Sequence, residues 1–487
     1  MTATKMKIGF IPSNRGFFSS ELAAAMRSET IDAMREMALD PVVLEDGQSN
    51  LGCVETRQEA EACARLFREQ EVDGIIIGAV NFGDEQSAAL AVKQAGLNVP
   101  VLVFGCQEEH ALTPGMSRRD AFCGLLSIGE ALRQVGITYS VGQRPVCFPS
   151  DQSFRDDLDW FVRVCRVVNG IRKARYGQIG ARPDAFWTCR FDEKRLQRLG
   201  PTTVTLDLSE VFGGVRAISD DDAEVRGLIE SIADYADSSK MAEATMLRMA
   251  KLELFLSRWQ AENDLDAFAV QCWTSIQRHY GVCACTTMSR FTDTLTPAAC
   301  EADIIGTLSM HALQLASGKP AALADWNNLH NDDDDLVNIW HCGVFPKSFA
   351  KEQPRLAAHD ILLTAGVAPE NQVEGVVELQ MKASPVTLSR ITQDVDGGWQ
   401  ALIAQGQIED NPASTSGSYG WCRIEDLQWL YRNVVLQHFP HHVAITPATI
   451  GNVLWEAYGN YLDFDVFHTR QATPGQYQSA MPFHQEP

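Results

Sequence analysis

No stretch of the chain approaches the run of about 18 uninterrupted apolar residues that a membrane-spanning helix needs, so no membrane span is expected. Positive charge is scarce. Lys and Arg number 41 against 63 Asp and Glu, a formal net charge of −22, and no basic stripe runs along the chain. A surface of that sign repels phosphate backbones and anionic lipid headgroups, which removes nucleic acid and membranes from the expected partners. The opening segment MTATKMKIGFIPSNRGFF has a short apolar run with no small-residue cleavage site behind it. It predicts no secretory leader and a cytoplasmic protein.

Metal-knuckle spacing is also missing. The thirteen cysteines are scattered, and in GVCACTT the pair Cys283 and Cys285 is too close for the usual two-residue spacer, with no second knuckle downstream. Reduced, mostly buried thiols are expected. The acidic run NDDDD at 331–335 lacks the glycine that a calcium loop needs at its turn, so it reads as a solvated loop. No internal repeat and no low-complexity stretch is present.

What is present is the composition of an ordinary folded protein, 45% hydrophobic and 21% charged. A chain of 487 residues exceeds what one hydrophobic core usually organises, so two or three domains are expected. From residue 6, apolar strands (KIGFIP, DPVVLE, VDGIIIGAV, VPVLVFG) alternate with amphipathic helices, the pattern of a doubly wound parallel sheet. A second unit of the same kind is expected to begin near RPVCFPS. It continues through a long helix, the strands QIGARP, TTVTLDL and AFAVQCW, and closes with PAALADW. After residue 345 the texture becomes β-branched and alternating, as in GVVELQMKASPVTLSRITQDVDGGWQALIAQGQIED, and helices are expected around 424–438 and 447–461. The expected architecture is therefore two consecutive Rossmann-like parallel-sheet domains, 1–143 and 144–345, followed by a β-rich, barrel-like domain, 346–487. The final segment, QATPGQYQSAMPFHQEP, reads as a polar surface tail.

Four places can carry chemistry. Glu301 opens EADIIGTLSMHALQLASG, whose Ile304, Ile305, Leu308, Leu313 and Leu315 predict a helix stopped by Gly318. A carboxylate in a first helical turn is also favoured by the helix dipole alone. Asp325 ends the small-residue strand AALA, where ligands of open α/β sheets gather, and a buried carboxylate there needs a charged partner or a metal. His341 ends the apolar run LVNIW and by itself is as compatible with a core histidine. His441 and His442 precede a short strand, and adjacent strand residues point to opposite faces, so one of the two is expected in any given site. Two carboxylates with two imidazoles form a mixed oxygen and nitrogen set suited to Mn²⁺ and other divalent first-row ions.

The order PAACEADIIGTLSMHALQLASGKPAALADWNN, then IWHCG, then HHVAIT resembles the L-fucose and L-arabinose isomerase family of aldose–ketose isomerases, and the likeness covers most of the chain. It implies that Glu301 and Asp325 bind Mn²⁺ and act as the acid/base pair of a cis-enediol mechanism. It implies further that His341 and His442 complete the metal set, and that the protein forms a homo-oligomer, a hexamer, with a small sugar as its partner. Arg15, in IPSNRGFF, matches an arginine that reaches sugar hydroxyls in relatives. Gln271, Trp326 and His441 are further substrate-contact candidates, with Trp273 and Trp326 equally suited to the core. The chain is shorter than typical fucose isomerases, and ADWNN differs from the sequence around their second acid. A divergent group resembling these enzymes acts on sulfoquinovose, a glucose carrying a 6-sulfonate. Two other readings remain at this point: a non-catalytic sugar-binding or sensor protein, and a metal-dependent hydrolase that keeps an open metal position for water.

Overall fold

A computed structural model describes residues 5–359 and 373–468. The polar tail expected after residue 470 lies outside them. Two compact units emerge, residues 5–169 with 455–463, and residues 170–454 with 464–468. No helix among the described residues is long and apolar enough to cross a membrane.

The first unit is built on five parallel strands, β1 (Lys7–Ser13), β2 (Asp40–Val42), β3 (Gly74–Ala79), β4 (Val101–Cys106) and β5 (Ser140–Cys147), in the order β2-β1-β3-β4-β5. Strands β3 and β4 are buried at every residue, because helices cover both faces of such a sheet and leave no solvated side. Packing is tight where a helix crosses. A Cβ on Gly9 would stand 2.8 Å from the ring of Phe67, which is fully buried. The helix bearing Phe67, Arg57–Gln70, starts with a reciprocal cap between Thr56 and Glu59, which satisfies two otherwise unpaired amides. The strand at RPVC is a correction: it is the last strand of this sheet, parallel to β4, and does not open the next one. The segment 455–463 also belongs here. Tyr461 Oη donates to the carbonyl of Val101 at 3.1 Å, and Ser140 Oγ donates to Glu456 at 2.7 Å.

In the second unit, β6 (Arg175–Ile179), β7 (Thr202–Leu206), β8 (Ala267–Val270) and β9 (Ala298–Ala299) form a parallel sheet in the order β7-β6-β8-β9. The strand containing PAALADW does not close this sheet. It is β10 (Ala322–Leu329), and it pairs antiparallel with β11 (Leu336–His341) and with β17 (His442–Thr446). Those strands belong to a β-rich sheet completed by β12 (Arg355–Ala358), β13 (Glu374–Gln380), β14 (Ser384–Gln393), β15 (Trp399–Glu409), β16 (Ser418–Arg423) and β18 (Asp465–His468). The run β16-β11-β10-β17-β14-β15 returns to β16 through a β15–β16 ladder, so these strands close on themselves as an antiparallel barrel. The fold is thus two parallel-sheet α/β layers followed by a barrel-like β unit, as the alternation along the sequence implies.

The helix Ile304–Ser317 joins the second sheet to the barrel. It contacts β8 and β9 on one side and β14 and β17 on the other, and its residues from Ile304 to Leu313 are all buried. A helix apolar all round is sandwiched between layers, and one continuous core of buried side chains runs from Phe268 and Val270 to Val443 and Ile445. Gly318, in left-handed backbone, ends the helix as expected.

Candidate active site

The helix begins at Ile304, and Asp303 is its N-cap, its carboxylate accepting from the amide of Gly306 at 2.7 Å. Glu301 therefore lies outside the helix, in the tight turn after β9. Its backbone and that of Ala302 are left-handed, with φ of 62° and 54°. The dipole explanation for Glu301 fails, because that role has passed to Asp303. Two successive side-chain-bearing residues in this region store strain, a feature that gathers at functional sites.

Asp325 and His442 are direct partners across β10 and β17. His442 Nε2 stands 3.6 Å from Asp325 Oδ1 and 3.4 Å from Glu301 Oε2. Its other nitrogen, Nδ1, lies 2.8 Å from Asp303 Oδ2. Asp303 is in turn gripped by Arg390 of β14, at 2.6 and 3.3 Å. Asp303, Arg390 and His442 are almost completely buried, so this chain of charges is screened little by water. Burial works against an ionised Asp303, but Arg390 and His442 outweigh it and hold the carboxyl well below its usual range. Burial likewise opposes a charged His442, yet Asp303, Cys189 and Glu301 raise the imidazole well above its ordinary value. Surroundings that favour a proton on Nε2 favour any cation there.

Among the described residues, Asp325 Oδ1, His341 Nε2 and His442 Nε2 are buried and make no well-formed hydrogen bond. The donor atoms of Asp325, His341 and His442 lie within 4.8 Å of one another, as do those of Cys189, Glu301 and His442. Glu301, Asp325 and His442 fit a divalent cation, since buried carboxylate and imidazole atoms without partners are what such an ion satisfies. The hydrogen bond from Nδ1 to a carboxylate fixes the His442 tautomer and bares Nε2, as in carboxylate-supported metal ligands. His341 is arranged the other way. Its Nδ1 accepts from the amide of Cys342 at 2.9 Å, which assigns the proton of the neutral ring to Nε2.

Adjacency did not send His441 and His442 to opposite sides. His441 precedes the strand and is half-exposed, and its Nε2 lies 3.7 Å from the same Asp325 oxygen. Burial, then the neighbouring His442, pushes its imidazole below the ordinary value. Trp326 is half-buried against the core and lines, with His441, Phe439 and Leu430, a cavity of about 310 Å³. Gln271 follows β8, and its side-chain oxygen accepts from the amide of Ala181 at 2.8 Å. Trp273 packs against the core and meets His359 edge to face. Arg15 belongs to the first unit, where it pairs with Glu85, donates to the carbonyl of Gly83 at 2.6 Å and covers the ring of Phe82. Within the NDDDD run, Asp333 is held by Arg423 at 2.8 Å.

Asp303, Arg390 and Cys189 went unnoticed in the sequence. Asp303 had a signal, a capping residue three positions ahead of Gly306. Arg390 had one too, as a lone cation within the apolar strand VTLSRIT. Cys189, 4.0 Å from Glu301, had none.

Two family models match the chain. The fucose/sulfoquinovose isomerase N-terminal domain matches residues 9–172, and the L-fucose isomerase C-terminal domain matches residues 339–469. The chain belongs to the fucose/sulfoquinovose isomerase family, a group of aldose–ketose isomerases. It is similar to the sulfoquinovose isomerase of Priestia aryabhattai, 24% identical over 407 residues, covering 82% of this chain and 85% of that protein. It is similar as well to the sulfoquinovose isomerase of Alkalicoccus urumqiensis, at 27% over 352 residues and 71% and 74% of the two chains. That of Clostridium sp. strain MSTE9 is 24% identical over 335 residues, 66% and 69% of the two.

Proposed function

We propose that the chain interconverts an aldose and its ketose at the cluster of Glu301, Asp325 and His442, with a 6-substituted hexose such as sulfoquinovose as the favoured substrate. The observation that carries this reading is the convergence of two carboxylates from separate segments on one imidazole nitrogen, at 3.4 and 3.6 Å. The sugar preference rests on the names of the relatives, and a fucose- or arabinose-type sugar is the other member of the same class.

Glu301, Asp325 and His442 would hold a divalent first-row cation such as Mn²⁺. When bound, it polarises the sugar carbonyl and stabilises negative charge developing on the adjacent oxygen. The chain's own groups move the protons. One of Glu301 and Asp325, ionised, takes the proton from the carbon next to the carbonyl. The other, protonated, serves the neighbouring oxygen, and the roles reverse as the cis-enediol collapses to the ketose. His341, donating through Nε2, orients an oxygen acceptor beside them. Arg390 and Asp303 keep His442 in one tautomer throughout. Assembly as a homo-oligomer, a hexamer by the family resemblance, belongs to the same reading.

The test is incubation of the purified chain with sulfoquinovose, L-fucose and L-arabinose in deuterated water, with Mn²⁺ and after chelation. Ketose formation with deuterium entering at C1 of the ketose, and at C2 of the aldose recovered from the equilibrium, supports the reading. Failure to turn over any of these aldoses in the presence of Mn²⁺ would overturn it.

A further inference from the structure

Five buried cysteines from four segments meet behind the acidic cluster. Cys300, the residue before Glu301, places its sulfur 2.8 Å from that of Cys272. Cys342 lies near Cys300 and Cys285, and Cys285 near Cys283. His341 Nδ1 lies 3.2 Å from Cys342 Sγ, and its lone pair now accepts from the Cys342 amide, a bond that an ion on Nδ1 would replace. The donor atoms of Cys300, His341 and Cys342 all fall within 4.8 Å of one another, and all three residues are buried.

We propose that Cys300, Cys342 and His341 Nδ1 form a site for a thiophilic divalent cation of the zinc type, distinct from the oxygen-rich cluster. The chemistry separates the two. Sulfur donors select soft ions, whereas carboxylates select hard ones. Around an ion with metal–sulfur bonds of about 2.3 Å, tetrahedral ligands stand roughly 3.8 Å apart, so donors already within 4.8 Å need only a small inward shift. Charge also balances. Cys300 and Cys342 each release a thiol proton to solvent as the metal–sulfur bonds form, and two thiolates neutralise a divalent ion in an interior that tolerates no net charge.

His341 ties this site to the acidic one. An ion on Nδ1 fixes the ring whose Nε2 belongs with Asp325 and His442, and it clamps Cys300 next to the strained turn at Glu301. Thiophilic ions are therefore expected to act on the isomerase from behind its acid/base pair.

The full chain, kept reduced, is stripped with chelator, saturated with Mn²⁺ and titrated with Co²⁺. The expected result is an intense near-ultraviolet thiolate-to-cobalt charge-transfer band that saturates at one equivalent. Cys342→Ser and Cys300→Ser should abolish or weaken it, and Cys63→Ser, in the first unit, should leave it whole. For variants that do not fold, X-ray absorption on the zinc-loaded natural chain gives the same answer through sulfur neighbours at about 2.3 Å. Bound cobalt or zinc with only oxygen and nitrogen neighbours, or a band that survives Cys342→Ser, overturns the proposal. So does a Cys272–Cys300 disulfide that persists under reductant. Because the readout is spectroscopic, its failure leaves the isomerase reading standing, and loss of isomerase activity says nothing against the thiol site.

Discussion

Asp325 and His442 sit directly opposite each other on neighbouring antiparallel strands, yet what positions them arrives from elsewhere. His442 is oriented by Asp303, a helix cap, and Asp303 by Arg390, on a third strand.

Removing Asp303 therefore tests the whole relay. Asp303→Ala leaves the guanidinium of Arg390 buried without its partner, a change expected to cost about 3–5 kcal/mol. Asp303→Asn keeps the shape but weakens the support of His442, and metal affinity should fall roughly 10–100-fold. Chemical denaturation of the first variant and metal titration of the second measure the two effects. Unchanged metal binding in Asp303→Asn would show that His442 does not depend on this support.

Glu301→Gln should retain the fold and much of the sugar affinity while losing turnover and proton exchange at the sugar's second carbon. A base confers about 10²–10⁴-fold in rate, and a loss of that order in kcat is the expected reading. Retained exchange in deuterated water would remove Glu301 from the acid/base role.

The two adjacent histidines should separate cleanly. His442→Ala is expected to lower the manganese content of purified protein, whereas His441→Ala, altering a half-exposed ring that lines a 310 Å³ cavity, should change KM more than metal load. Elemental analysis of both variants decides between them, and equal metal loss in both would make His441 a ligand.

Glu456, in the first unit, gives a test that does not involve the acid/base pair. It is buried, and burial raises its carboxyl above the usual carboxylate range despite hydrogen bonds from Ser140 and Asn460. The folded chain thus holds this proton more tightly than the unfolded one. The stabilisation is fully present below the ordinary carboxylate value and is lost as pH rises through the raised one. Glu456→Gln keeps an acceptor for Ser140 without the charge, so its melting temperature relative to the natural chain should improve as pH rises toward neutral. A difference that does not vary with pH would count against a desolvated carboxylate.

In the first unit, Phe67→Ala should cost about 3–5 kcal/mol, because the ring is fully buried against the strand at Gly9. Denaturant unfolding of that unit's signal measures it.

The layer types were legible because they depend on local periodicity. Runs such as GIIIGA and VLVFGC read as strands buried on both faces, and they are. Sheet membership was not legible in the same way. AALADW carries the same small-residue pattern whether it closes an α/β sheet or enters a barrel, and only pairing with residues 442–446 decides. The acidic and histidine positions stood out because a carboxylate or an imidazole at the end of an apolar run is conspicuous. Their supports did not, since Arg390 and Asp303 are 87 residues apart and nothing local records that they meet. The cysteines were hardest, because Cys272, Cys285, Cys300 and Cys342 follow no spacing rule and are assembled by topology alone.

The closed barrel bears on how this enzyme can change. Both edges of β10 and of β17 are engaged by neighbours, so neither strand is free to slide, and a slip by one residue would bring Ala324 to the position of Asp325. The register that sets Asp325 against His442 is locked by the hoop of backbone bonds, and the connections at its rim lie outside that ladder. Directed evolution toward other sugars should accordingly accumulate its changes in those rim segments and leave the staves alone.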